Sequence, residues 1–152
     1  MKLERLVLCD NYIGNLLPLK DMATLKELDL CENPLWDLTP LRELFSLTYL
    51  DVSQSSVTDL SPLSRLSRLE TLNLVWCDVK DLRALEKLSR LKEVDVSHTA
   101  VTDLRTLVRE GEPVTVRCAG LPAETIDAVR GMNITLAEEW CALSAATACS
   151  IT

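Results

Sequence analysis

The sequence is short of most of what catalytic and nucleic-acid-binding domains are built from. It has one histidine, His98, and only four glycines in 152 residues, so it has no Gly-rich phosphate loop. A Cys–His nucleophile needs both groups in one cleft. In the periodic frame described below, the cysteine nearest His98 is Cys77, which occupies an inward slot. Basic residues are in deficit, 16 Lys and Arg against 23 Asp and Glu, a formal net charge of −7. That is the opposite of the basic stripe used on nucleic acid. Aromatics make up only 4 %. No run approaches the roughly 18 apolar residues of a membrane span. The opening MKLERLVLCDNYIG places Glu4, Arg5 and Asp10 where a signal peptide needs unbroken apolar sequence. The six cysteines (Cys9, Cys31, Cys77, Cys118, Cys141, Cys149) include no CxxC pair. Reduced thiols in a cytoplasmic protein are expected.

What the chain has instead is a period of 22 residues. Leu3, Leu25, Leu47, Leu69 and Leu91 open five successive copies, and apolar residues recur in register within them. One ladder is Leu6, Leu28, Leu50, Leu72 and Val94; another is Leu8, Leu30, Val52, Leu74 and Val96. Further ladders run through Leu16, Leu38, Leu60, Leu82 and Leu104, and through Leu19, Leu41, Leu63, Leu85 and Leu107. The alternation at the start of each copy predicts a short strand with one face inward. One copy cannot bury its own leucines, so copies must stack, about 4.8 Å apart, into a parallel sheet over a continuous core. Thr39-Pro40 and Ser61-Pro62 read as an N-cap followed by Pro at the first helical position. The close Leu spacing there suits a 3₁₀ or single α turn.

Each copy reads LxxLxLxxN-x-L followed by xxLxxLxxLxx, and the chain resembles the leucine-rich repeat family in its 22-residue class. That class is shared by bacterial internalins and phosphatase-1 regulatory repeat proteins; Val57-Thr-Asp-Leu-Ser-Pro-Leu63 is especially internalin-like. The resemblance implies an α/β solenoid, with strands on a concave face and tight helical turns on a convex one. It also implies Asn at the ninth position of each copy. Here that slot holds Asn11, Asn33, Ser55, Cys77 and Thr99, so a continuous but looser ladder is expected, with Cys77 structural.

Residues 1–120 are assigned to the solenoid and 121–152 to a C-terminal helical cap or tail. Val114–Cys118 fits a sixth strand. Pro122–Arg130 with Gly131 reads as a short helix and its stop. Thr135-Leu-Ala-Glu138 reads as a capping box opening a second helix that would carry Leu136, Trp140 and Leu143 on one face. The first copy has no cap, so the chain is either part of something longer or uses its first strand for docking.

The outward positions of the strands, the third, fifth, seventh and eighth of each copy, form the candidate binding face. Through the fifth copy and the sixth strand they hold seven acids (Asp10, Glu27, Asp29, Glu32, Asp51, Glu93, Asp95) against Arg5 and Arg117, a local charge of −5. A fifth-position ladder of Asp29, Asp51, Asn73 and Asp95 runs down its centre. Neighbouring carboxylates would repel by roughly 0.8 kcal/mol in water, which suits a cationic partner or simple solvation. Tyr49, Trp76 and His98 are the hot-spot candidates, because Tyr and Trp dominate interface energetics; Trp76 and His98 share a slot in adjacent copies. Trp36 and Phe45 read as local packing. An acid–base pair from Asp29 and Asp51 is disfavoured, since an open solvated ladder would not split their pKa values. Cys9 and Cys31 also share a slot, beside Asp10 and Glu32, but so exposed and regular a set is a poor zinc site. A disulfide there is not expected in a reducing compartment.

The expectation is a non-catalytic protein-interaction module without metal or cofactor. Its partner-binding residues are Glu27, Asp29, Tyr49, Asp51, Asn73, Trp76, Glu93, Asp95 and His98, and its partner is a protein with a basic surface rather than nucleic acid or membrane. A monomer is expected, with pairing through the uncapped N-terminal edge as the alternative. Two other readings stand beside it: a targeting or regulatory repeat domain of a larger enzyme or bacterial effector, and an internalin-like surface adhesion module.

Overall fold

The computed structural model describes residues 2–138. Seven three-residue strands form one parallel sheet in chain order: β1 (Arg5–Val7), β2 (Glu27–Asp29), β3 (Tyr49–Asp51), β4 (Thr71–Asn73), β5 (Glu93–Asp95), β6 (Thr115–Arg117) and β7 (Thr135–Ala137). The 22-residue period is the sheet register, pairing Leu6 with Leu28, Leu28 with Leu50, Leu50 with Leu72 and Leu72 with Val94. Inward ladder residues from Leu25 through Val116 are almost all without exposed surface. Burying one Leu side chain stabilises by about 1.5–3 kcal/mol, so the stacked ladders are the main cohesive term.

Opposite the strands, five 3₁₀ turns (Leu17–Leu19, Thr39–Leu41, Ser61–Leu63, Arg83–Leu85, Arg105–Leu107) follow the expected spacing. Their caps differ from those read from the sequence. Thr39 and Ser61 lie inside the turns, and no side chain of the residue before each turn caps it. The N–H two residues on is accepted instead by the thirteenth position of every copy: Asn15 for Leu17, Asp37 for Thr39, Asp59 for Ser61, Asp81 for Arg83 and Asp103 for Arg105, at 2.8–2.9 Å. This is the local Asx geometry that competes best where a helix must start abruptly.

The ninth-position ladder is looser, as expected, but not continuous: only Asn33 and Cys77 reach the copy before their own. Asn33 donates to the carbonyls of Leu8, Leu30 and Cys31 and accepts from the N–H groups of Asn11 and Ile13. Ser55 donates to Val52 O at 2.6 Å and lies 3.5 Å from the Cys77 sulfur, while Thr99 donates to Val96 O at 2.7 Å and accepts from Val101 N–H at 3.4 Å. The Cys77 thiol donates to Val52 O at 3.1 Å, and burial pushes its pKa up to about 11. It is structural, as expected.

The C-terminal side departs from expectation. The first helix exists as α1 (Ala123–Asp127), and Gly131 turns the chain at φ +80°. The predicted second helix does not begin at Thr135, because residues 135–137 are strand β7. Thr135 N–H donates to Val114 O, and Cys118 N–H donates to Ala137 O. The open edge of β6 offers a row of unpaired backbone groups, and pairing with it overrides the local capping-box signal. The offset here is 20 residues, Thr115 opposite Thr135. Trp140 and Leu143, expected on that helix, lie outside the described residues.

Cys9 and Cys31 are joined by a disulfide, with their Cα atoms 4.6 Å apart. This corrects the expectation of reduced thiols at these two positions. Equal slots on neighbouring rungs of a parallel sheet fall at a separation that a disulfide can bridge without backbone movement.

Candidate protein-interaction face

The fifth-position column is on the strand face but is not exposed. Asp29, Asp51, Asn73 and Asp95 are all buried, Asp51 with 0 % exposure. Each side chain turns back to accept the N–H two residues on: Asp29 from Cys31, Asp51 from Ser53, Asn73 from Val75 and Asp95 from Ser97. Asp51 also accepts from the Ser53 hydroxyl at 2.6 Å and from Asn73 Nδ2 at 2.8 Å. Desolvation dominates, and it pushes the Asp51 pKa up to about 6 despite these bonds; Asp29 and Asp95 are raised for the same reason. The solvated ladder expected from the sequence is thus a dry one. Short side chains that bond their own strand are covered by neighbours one rung away, so an outward direction does not make them accessible.

The third-position column is exposed at Arg5 and Glu27 and half-buried from Tyr49 onward. Arg5 pairs with Glu27 within it at 3.2 Å, and at the far end Arg117, which closes the fifth-position column opposite Asp95, reaches across to Glu93 at 2.6 Å. Tyr49 lies half-buried between them, its hydroxyl 3.4 Å from Asp51 Oδ2. Burial and the nearby carboxylates of Asp51 and Asp29 raise its pKa.

The eighth-position column is the most exposed part of the face. Asp10, Glu32, Gln54, Trp76, His98 and Gly120 occupy equivalent places, all in left-handed backbone with φ between 54° and 77°. That conformation favours Gly and Asn and is unusual for bulky residues. Trp76 and His98 stack with ring centroids 4.3 Å apart and planes 7° from parallel, while Trp76 remains 57 % exposed. Gly120 makes room for this: a Cβ there would lie 2.5 Å from His98 Nδ1.

Of the nine sequence-predicted residues, the structure brings Trp76 and His98 together, Trp76 exposed and His98 half-buried beneath it. It leaves Glu27, Tyr49 and Glu93 at the third position and withdraws Asp29, Asp51, Asn73 and Asp95. Trp36, read as local packing, is largely exposed, whereas Phe45 does receive Arg65 over its ring at 5.7 Å. Tyr12, the most exposed of the large apolar and aromatic residues described, was missed. Its tenth position lies outside the alternating strand pattern, and only its bulk beside the acidic Asp10 could have marked it.

For chemistry, Cys77 points into the core while His98 stacks outside on Trp76, so the two do not converge. The Cys9 and Cys31 sulfurs lie near the Glu32 carboxylate, but the disulfide occupies the thiols that would bind a metal.

No protein-family model matches the chain, and no curated protein matches it in sequence. Solved structures do. Internalin C2 of Listeria monocytogenes superposes with a TM-score of 0.72 at 29 % identity, over 76 % of this chain and 51 % of that one. Internalin F of the same organism matches at TM-score 0.58 and 20 % identity, over 90 % and 48 %. A leucine-rich repeat protein of Leptospira interrogans matches at 0.54 and 22 %, over 70 % and 29 %. This chain spans about half the length of the two internalins. It is a leucine-rich repeat solenoid of the internalin-like, 22-residue class.

Proposed function

We propose that this solenoid is a non-catalytic protein-interaction module that binds a partner with a basic surface through its strand face. The observation that carries the reading is the Trp76–His98 stack, whose Trp76 ring is held exposed on left-handed backbone in the same column as Asp10 and Glu32. An aromatic pair stiffened by stacking loses little entropy on binding, and aromatics of this kind anchor interfaces. The likeness to internalins supports an interaction repeat as the general class. Glu27, Tyr49 and Glu93 extend the face, while the buried fifth-position carboxylates contribute field rather than contacts.

The test is affinity capture on the immobilised chain with cross-linking to locate the contact, over a salt series and with Trp76→Ala as control. Recovery should fall as salt rises, because exposed charges are screened, and should drop for the variant. Recovery that grows with salt, or that is equal for wild type and variant, would overturn the reading.

A second reading, a surface adhesion module, is favoured by the Cys9–Cys31 disulfide, since such bonds persist in oxidising compartments. In the cytoplasm the pair would be expected reduced. Acid-trapped alkylation of the protein from its native source decides between them: modified Cys9 and Cys31 argue for the cytoplasmic placement, protected ones for the exported module.

A further inference from the structure

Beside the strand face, a shallow groove of about 530 Å³ runs along the rim between the eighth- and tenth-position columns of the first four copies. Asp10, Glu32 and Asp78 line it, and no Lys or Arg does. An aromatic stands toward each end: Tyr12 in the first copy, 88 % exposed, and Trp76 in the fourth. His98 covers one face of the Trp76 indole, so the opposite face turns back along the groove toward Gln54. Tyr12 has φ 54°, although the tenth-position residues Pro34, Ser56, Asp78 and Ala100 have no positive φ. The first copy thus departs from the repeat at the residue that lifts an aromatic ring into solvent. Unusual backbone of this kind concentrates at binding sites.

We infer that this rim groove takes an extended peptide segment carrying two basic side chains about four residues apart. The inference rests on the protein-binding reading above and adds a location and a partner chemistry to it. An aromatic face beside a carboxylate holds a guanidinium or ammonium group through both its plane and its charge. Both ends of the groove carry such a set in its lining, Tyr12 and Asp10 at one and Trp76 and Asp78 at the other. The two ends are three rungs apart, roughly 14 Å at about 4.8 Å per rung. An extended chain advances about 3.4 Å per residue, which sets the spacing of the two bases. An acidic segment would be repelled by the three carboxylates that line the groove.

The experiment is an NMR titration of the uniformly ¹⁵N-labelled full chain with acetyl-Gly-Arg-Ser-Gly-Ser-Arg-Gly-amide. Controls are the same peptide with citrulline for arginine and one with the two arginines adjacent. Shifts are expected at the amides of Tyr12, Glu32 and Asp78 and at the Trp76 indole N–H. The citrulline peptide should not bind, and the adjacent-arginine peptide should bind more weakly. Tyr12→Ala and Asp78→Asn, both at exposed positions, should each weaken binding by about fivefold with an otherwise unchanged spectrum. Equal affinity of these variants and wild type would overturn the groove. Shifts confined to Thr71 and Glu93 would also overturn it while leaving a basic partner on the strand face intact. No shift with either arginine peptide would overturn the groove and the basic-partner chemistry together; the cross-linking experiment then tests the interaction module independently.

Discussion

Replacing Asp51 with Asn should make the protein more stable at neutral pH, and the gain should grow with pH in a calculable way. Asp51 has no exposed surface, and its carboxyl is displaced from an ordinary 3.8 to about 6 by desolvation. That displacement corresponds to about 3 kcal/mol between the protonation states, at about 1.4 kcal/mol per pH unit. Below pH 3.8 both the folded and unfolded chains hold this proton. Between 3.8 and 6 the unfolded chain ionises while the folded one does not, so the contribution of Asp51 to stability falls as pH rises. Above 6 it is level. Asparagine fits the site, because Asn73 occupies the same slot on the next rung and accepts the Val75 N–H at 3.1 Å. The Asn73 amide, which now donates to Asp51 Oδ2, would face an amide instead, a loss of about 1 kcal/mol.

The net gain is therefore near zero at pH 4.5 and about 2 kcal/mol at pH 8. Urea unfolding followed by circular dichroism across that range, on wild type and variant, gives the difference directly. The pH dependence of the difference is the decisive quantity, since other carboxylates titrate in both proteins and cancel. A difference that is flat from pH 4.5 to 8, or that shrinks as pH rises, would refute a desolvated Asp51.

Three further outcomes are expected. Breaking the Cys9–Cys31 bond, by reductant or by replacing both residues with Ser, should lower stability by about 3 kcal/mol for a loop of this length, read as a lower melting temperature. A melt unchanged by reductant would show that the bond does not tie the first copy to the second. Asn33→Ala removes five hydrogen bonds from a buried side chain and should cost about 3 kcal/mol or more, against about 1 for Ser55→Ala; equal losses would refute the uneven ninth-position ladder. Gly120→Ala places a Cβ against His98 in backbone of φ +77°. It should disrupt the Trp76–His98 stack, read as changed ring-current shifts of the His98 ring protons, whereas unchanged shifts would show that the glycine is not what makes room for the stack.

The inward ladders, the strand register and the 3₁₀ turns were legible because each follows from one periodic constraint repeated in every copy. The caps were equally periodic, at Asn15, Asp37, Asp59, Asp81 and Asp103, yet Thr39-Pro40 and Ser61-Pro62 carry the stronger generic N-cap signal and drew the assignment two residues too far. Strand β7 was hidden for a different reason. Thr135–Glu138 carries a local capping-box pattern, and its pairing with β6 depends on an edge only the assembled sheet presents. The Cys9–Cys31 juxtaposition followed from the period, but whether two adjacent thiols oxidise is not written in their spacing. Within the site, the aromatic pair of Trp76 and His98 was legible from a shared slot, and the accessibility of the acids was not.

That last difference shows how such a solenoid allots roles to its columns. Alternation says only that a side chain leaves the core. Whether it reaches solvent depends on its length and on what its own strand offers. At the fifth position an Asp or Asn is short enough to bond the N–H two residues on, and Asp29, Asp51, Asn73 and Asp95 all do so. They become part of the strand's termination and are lost to a partner. At the eighth position the left-handed backbone throws the side chain away from the strand, so Glu32, Gln54 and Trp76 stand clear whatever their type. Residues at the fifth position are therefore constrained by folding and those at the eighth by contact. Exchanging Trp76 for Asn should then be tolerated by the fold, since Asn suits left-handed backbone better than Trp, while the exposed aromatic surface disappears. A melting temperature at or above that of wild type, together with weakened partner capture, is the result this division of labour requires. A marked fall in stability would mean that Trp76 is held there for packing.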